Sequence, residues 1–259
     1  YAEVSGKGIE QRSALVSAIK KKERDIQNYK EAFRYVVEEV AYTWFNRLIA
    51  IRFMEVNDYL PSGVRVLSSE NKAKKEPDLV TTPFDADLEF TSYEQDRILQ
   101  LKDDNRLDEL FRMLFIKQCN KLHDILPELF EKTDDYSELL LTVSFTDNEG
   151  IVFHLVHDID EGDFNIEKEG QVEIIGWMYQ YYNSEPKDAL INAKKQYHKD
   201  DIPFVTQLFT SDWIVKYLTE NTLGRYWKEA NPEFSIPNDW KFYIDEVEDA
   251  VLQLLLKRF

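Results

Sequence analysis

Glycine is scarce in this chain, with eight residues in 259, standing singly apart from Ser5–Gly8 (SGKG). That scarcity excludes a glycine-rich loop able to cradle a phosphate or a nucleoside. SGKG lacks the first glycine and the closing Ser/Thr of a P-loop and reads as an N-terminal turn. The lone cysteine, Cys119, rules out an internal disulfide and suits a reducing, cytoplasmic setting. Near apolar Phe115 and Ile116, it reads as a buried structural thiol rather than a nucleophile. No run approaches the roughly 18 to 20 apolar residues of a membrane helix, and no signal peptide opens the chain, so no membrane partner is expected. Basic residues are outnumbered, 32 against 49 acidic, for a net charge of −17. A stand-alone DNA-binding module needs the opposite balance, because phosphate contacts by Lys and Arg dominate affinity.

What the chain does contain is apolar and aromatic. At 43% apolar and 14% aromatic residues it is built to fold. Its length suits one large domain or two small ones, each with a core. Two helices are expected between Ser13 and Tyr59. In the second, Val40, Ala41, Trp44, Phe45, Leu48 and Ile49 follow helical spacing, and Pro61 and Gly63 close it. Arg47 and Arg52 interrupt this stripe. Arg52 lies four residues after Leu48 at the edge of the buried face, so a carboxylate partner is expected, with Glu55 within one turn. Ser68–Pro83 reads as a mobile polar surface loop, and its basic run as solvated.

Arg106–Phe130 is again helical, with Leu107, Leu110, Phe111, Leu114 and Phe115 on one stripe and a bend before Leu122, Ile125 and Leu129. Leu139–Phe145 mixes β-branched and aromatic residues and is expected to form a short strand. Ile151–Ile159 fits a helix face better than alternation. Val172–Tyr182, apolar nearly all round, is expected to be a helix buried on most sides. There is no internal repeat. The fold class is mainly α, with at most a short strand or hairpin.

Three constellations invite chemistry and read more simply. His154 and His157 are one turn apart beside Asp158, but no second ligand cluster supports a metal site, and none is assigned. Asp158–Gly170 faintly suggests a calcium loop, yet Gly162 falls one place early, so it reads as a loop. Asn231–Phe234 (NPEF) invites comparison with the catalytic tetrapeptide of amino-methyltransferases, where an aromatic ring stacks on a flipped base. Glu233 replaces its second proline, and NPEF reads as a turn after a helix. No catalytic residue is assigned. The aromatic group Trp177, Tyr179, Tyr181 and Tyr182 reads as core.

The most informative stretch is Thr206–Trp227, TQLFTSDWIVKYLTENTLGRYW. Thr210 stands where a helix N-cap belongs, Asp212 suits the first turn, and Trp213, Ile214, Tyr217 and Leu218 share one side of the helix. Such a helix start, with free N–H groups, can take a carboxylate or phosphate. QLFTSDWIV resembles the cofactor-binding segment Q-F-[FY]-T-P-x-x-[IV]-V of one class of adenine-specific DNA methyltransferases. It departs at Ser211, where the family often has Pro. The resemblance implies S-adenosylmethionine as cofactor and Gln207, Phe209, Thr210 and Ile214 as its contacts.

Ala41–Pro61 (AYTWFNRLIAIRFMEVNDYLP), Arg106–Asn120 (RLDELFRMLFIKQCN) and Glu173–Asp188 (EIIGWMYQYYNSEPKD) resemble the N-terminal region of BREX-type phage-defence methyltransferases. With order and spacing kept, the resemblance runs from about Ile9 to about Val247. It implies a helical N-terminal domain over residues 1–200. Residues 201–259 would then be the cofactor-contacting segment, leading into the start of a Rossmann-like methyltransferase domain. The parent would methylate adenine N6 in DNA, gripping DNA through parts absent here and working beside other defence-system proteins. The chain itself is expected to be an inactive fragment that scaffolds and contributes the cofactor-contacting motif. The alternative from charge alone is an acidic interaction module or DNA mimic without catalysis.

Overall fold

The computed structural model describes residues 6–130, 136–168, 170–194, 196–197, 201–206 and 209–244. Among these the secondary structure is helical throughout, with no strand, in agreement with the mainly α expectation. The chain forms two compact units divided between Ile175 and Gly176.

The first unit is organised by two long helices, α1 (Lys7–Ile26) and α2 (Tyr29–Val56). Between them Gln27 takes a left-handed conformation and Asn28 caps α2, its side chain accepting from the N–H groups of Lys30 and Glu31. α2 is the axis of the core. Val36, Val40, Trp44 and Leu48 are buried along it, and Trp44 meets Phe115 of α5 (Leu107–Leu122) with ring centroids 6.0 Å apart. Leu110, Phe111, Leu114 and Phe115 are fully buried, as their spacing predicts. α5 ends at Leu122, and turns replace the helix expected through Phe130. α4 (Ser92–Asp103) packs on α5 and opens with a reciprocal capping box between Thr91 and Glu94.

Arg47 and Arg52 of α2 are each 1% exposed. Arg52 donates to the Glu55 carboxylate at 2.7 Å, the pairing that its buried position demanded. Arg47 lies over the Trp44 ring at 4.8 Å. Neither guanidinium is at the surface. Glu55 does more than neutralise Arg52: it also accepts the N–H groups of Val66 and Leu67 and the Ser68 hydroxyl, at 2.8, 2.8 and 2.9 Å.

This anchoring corrects the expectation of a mobile loop over Ser68–Pro83. Ser68 and Ser69 are buried, and Asp78 holds the Ser69 hydroxyl and the Glu70 N–H. The short helix α3 (Asp78–Thr81) then buries Leu79 and Val80 completely or nearly so. The tip, residues 70–76 with its lysines, is exposed.

The expected strand at Leu139–Phe145 is also absent. Residues 137–140 form one helical turn, α6 (Ser137–Leu140), and the chain then runs extended with Leu141 and Val143 buried. The alternation is genuine, but no second strand lies beside it among the described residues. The carboxylate of Asp108 takes the N–H groups of Phe145 and Thr146 in place of a ladder. Ile151–His157 is helix α7, as spacing favoured over alternation. Residues 161–164 form the single turn α8 (Glu161–Phe164), where Glu161 pairs with Arg65 at 2.7 Å and Asp160 caps the turn. The residues that suggest a calcium loop are thus engaged in ordinary capping and ion pairing.

The second unit begins within α9 (Glu173–Tyr182) and continues through α10 (Ser184–Ala193), α11 (Ile202–Thr206) and α12 (Asp212–Thr219). A π-helical turn at Glu220–Gly224 joins α12 to α13 (Arg225–Ala230), so 212–230 is one continuous helical rod. α9 is not buried on most sides. Ile174 and Gly176 are buried, while Trp177 and Tyr181 are 43% and 80% exposed. Tyrosine and tryptophan each carry a polar tip that tolerates water, so an apolar composition did not dictate burial here.

Candidate functional site

The segment that leads into α12 is built against α9. The ring of Phe209 lies on Gly176, where an added Cβ would stand 2.2 Å from its Cδ1. It also meets Tyr179 edge-on at 6.0 Å, and its N–H donates to the Gln180 side chain at 3.3 Å. Phe209 is thereby fixed in place with 46% of its surface still exposed. Gln207 lies outside the described residues.

The helix start sits one residue later than its sequence suggests. Ser211, not Thr210, is the N-cap, with φ −58° and ψ 140°, and its side chain makes no capping bond. Serine and threonine are both favoured N-cap residues, so sequence alone did not separate adjacent candidates. Thr210 is exposed just before the cap, and Ile214 is half-buried on the first turn. The Ser211 carbonyl accepts from Ile214 and Val215, and the N–H groups of Asp212 and Trp213, at the positive end of the rod, have no acceptor among the described residues. Asp212 does not close this end against an anion, because its carboxylate is turned to Lys216 at 2.6 Å. The structure therefore brings Phe209, Thr210 and Ile214 to one helix start. The apolar side chains of α12 remain open: Trp213, Tyr217 and Leu218 are 56%, 41% and 53% exposed.

Alignment of this sequence with known proteins gives the family. No family model matches it. It is 52% identical over 260 residues to the adenine-specific methyltransferase PglX of Lacticaseibacillus casei (strain Zhang), across 95% of this chain and 21% of that protein. It is 39% identical over 236 residues to the adenine-specific methyltransferase BrxX of Escherichia coli O9:H4 (strain HS), across 91% of this chain and 19% of that protein. The chain belongs to this family of adenine-specific methyltransferases. It spans about a fifth of the length of these two relatives.

The remaining constellations resolve into structure. His154 bonds to Asp158 at 2.6 Å, and the His157 ring stacks on Phe153 at 4.2 Å. Among the described residues no group of three His, Cys, Asp or Glu side chains could hold a metal ion. No described helix is long and apolar enough to cross a membrane. NPEF is a turn: Asn231 ends α13, and the Phe234 N–H donates to its carbonyl.

One feature escaped the sequence reading. Between the 212–230 rod and the segment that returns along it lies a groove of about 510 Å³, walled by Leu223, Trp227, Phe234 and Trp240 and floored at Glu220. Polar pins hold the returning segment: Glu220 accepts the Phe242 N–H, Asn221 bonds the Phe242 carbonyl and the Ile244 N–H, and Arg225 donates to the Ile244 carbonyl. The only sequence signal was a lone glycine within a helical stretch. At Gly224 an added Cβ would lie 2.5 Å from Cζ3 of Trp240.

Proposed function

We propose that this chain is the N-terminal part of an S-adenosylmethionine-dependent DNA methyltransferase, acting on adenine N6 in a BREX-type phage-defence system. Identity to two named adenine-specific methyltransferases across more than nine-tenths of the chain carries this reading. Residues 1–200 act as helical scaffold, and residues 201–259 contact the cofactor and open the catalytic domain. DNA is engaged through other parts of the parent protein, in keeping with the −17 charge of this one. The parent works in the cytoplasm beside other proteins of the defence system. The rival reading, an acidic DNA mimic, finds no support in the names of these relatives.

The helix start fits one end of the cofactor. Open N–H groups at Asp212 and Trp213, with the Thr210 and Ser211 hydroxyls beside them, suit a carboxylate such as the methionine end carries. Gln207, Phe209 and Ile214 supply the surrounding contacts. When bound, the cofactor supplies the methyl group. The described residues offer no glycine-rich cradle for its nucleoside and no catalytic tetrapeptide, so the chain alone binds cofactor weakly and transfers no methyl group.

Asp212→Pro in the full-length enzyme tests this reading. Proline is tolerated at the first helical position, and Ser211 already has the extended backbone that precedes proline. The substitution deletes one N–H donor while keeping the helix, and Asp212→Ala controls for the lost carboxylate. A charge-assisted hydrogen bond contributes roughly 1.5–3 kcal/mol, so cofactor affinity should fall about tenfold or more relative to the alanine variant. Equal affinity of the two variants by calorimetry would remove the helix start from the cofactor site.

A further inference from the structure

We propose that the aromatic groove of the second unit binds an organic cation of the alkylated-ammonium or guanidinium class. This site is separate from the helix start and stands without the cofactor reading. Three aromatic side chains converge on the groove. Trp227 meets Phe234 edge-on at 6.4 Å, and Phe234 meets Trp240 at 5.8 Å. Tryptophan faces attract cations most strongly among the aromatic side chains, and desolvated aromatic walls are the usual receptor for alkylated ammonium groups.

The decisive group is Glu220. It is 7% exposed, lines the groove, and makes no ion pair with any described residue. One carboxylate oxygen accepts the Phe242 N–H at 2.8 Å; the other has no hydrogen-bond donor among the described residues. A buried carboxylate with a single neutral donor is short of a positive partner. Asp239 adds a second negative charge at the rim. Lys216 also lines the groove, but its ammonium is drawn back to Asp212. Arg225 and Lys228 lie over the neighbouring Tyr243 ring, 5.6 and 5.4 Å from its centroid. The walls therefore ask for an apolar body and the floor for a positive charge. The volume falls within the roughly 300–1,000 Å³ of small-molecule sites.

Calorimetry on the 259-residue chain, at matched ionic strength, tests this with three probes: choline, its neutral isostere 3,3-dimethylbutan-1-ol, and N-acetylarginine amide. At least one cation should bind roughly tenfold or more tighter than the isostere, the scale of a desolvated cation–π contact with a paired carboxylate. Preference for choline would identify a free ammonium ligand, and preference for the arginine amide a side chain of another protein; both support the site. Glu220→Gln keeps an oxygen for the Phe242 N–H and should abolish the preference. Asp239→Asn, which touches none of the pins, should reduce it, and Trp227→Leu should weaken every probe. Circular dichroism checks that each variant stays helical. Should Glu220→Gln lose helicity, the other two variants carry the test. Equal binding of cation and isostere, binding of none of the probes, or a cation preference unchanged in the folded variants would overturn the proposal.

Discussion

Removing the Glu55 side chain should strongly destabilise the first unit, because that carboxylate performs two tasks at once. It is 2% exposed and neutralises an equally buried Arg52. Its other oxygen receives both the Val66 and the Leu67 N–H groups. Glu55→Ala leaves the buried Arg52 guanidinium with only the more distant Glu161 carboxylate at 3.6 Å, a loss of up to about 3–5 kcal/mol, and orphans two backbone donors at about 1–3 kcal/mol each. These losses overlap, so we expect at least about 4 kcal/mol in total, against the roughly 5–15 kcal/mol that holds a domain together. At about 2–4 °C per kcal/mol for a unit of this size, the melting temperature should fall by about 10 °C or more. Glu55→Gln separates the tasks. Its amide oxygen can still take the two N–H groups while its NH2 faces the Arg52 donor, so the pairing with Arg52 is lost, at about 3 kcal/mol. Arg52→Met combined with Glu55→Gln should recover part of that loss. Thermal and urea unfolding followed by circular dichroism reads all three variants. If alanine and glutamine cost the same, the backbone pins contribute nothing; if alanine costs less than about 1 kcal/mol, the network does not hold the fold.

Three further outcomes are expected. Gln118 is fully buried and neither its amide nitrogen nor its oxygen meets a hydrogen-bond partner among the described residues, so Gln118→Met should raise stability by about 1 kcal/mol in urea melts. Burial pushes the Cys119 thiol up to about 12, despite the opposing charge of Arg47, so it should resist iodoacetamide at neutral pH until the chain is unfolded. The hydrogen bond to Asp158 holds His154 above its ordinary value of 6.5, and Asp158→Asn should lower its midpoint in an NMR titration. Because the folded value is raised, the small contribution of this pair is present below pH 6.5 and fades as pH rises through the folded midpoint.

Helices with a wide apolar stripe were legible before any coordinate. Val40, Trp44 and Leu48 announce α2, and Ile151, Val152 and Leu155 decide α7 against a strand. Two of the misreadings share one cause: side chains took over work that local sequence assigns to the backbone. Asp108 stands in for the partner strand of 141–145, and Glu55 with Asp78 pins a loop whose composition reads as mobile. Such contacts join residues distant in sequence, and no periodicity encodes them. The cap was expected one residue early, at Thr210, because threonine is also a favoured capper. The aromatic groove was invisible because Trp227, Phe234 and Trp240 come from a helix, a turn and a returning segment.

The π turn at Glu220–Gly224 has a topological meaning. Such a turn is what remains when one residue is inserted into an α-helix. Upstream and downstream faces of the rod are therefore out of phase by about one residue's rotation, roughly 100°. That offset lets Asn221 and Glu220 reach the returning segment while Gly224 presents bare backbone to Trp240. A chain shortened by one residue here would heal into a straight α-helix and keep its helical content, yet swing Gly224 and Trp227 away from the wall they complete. The groove thus depends less on which aromatic residues are present than on a counting error in the helix, retained between them.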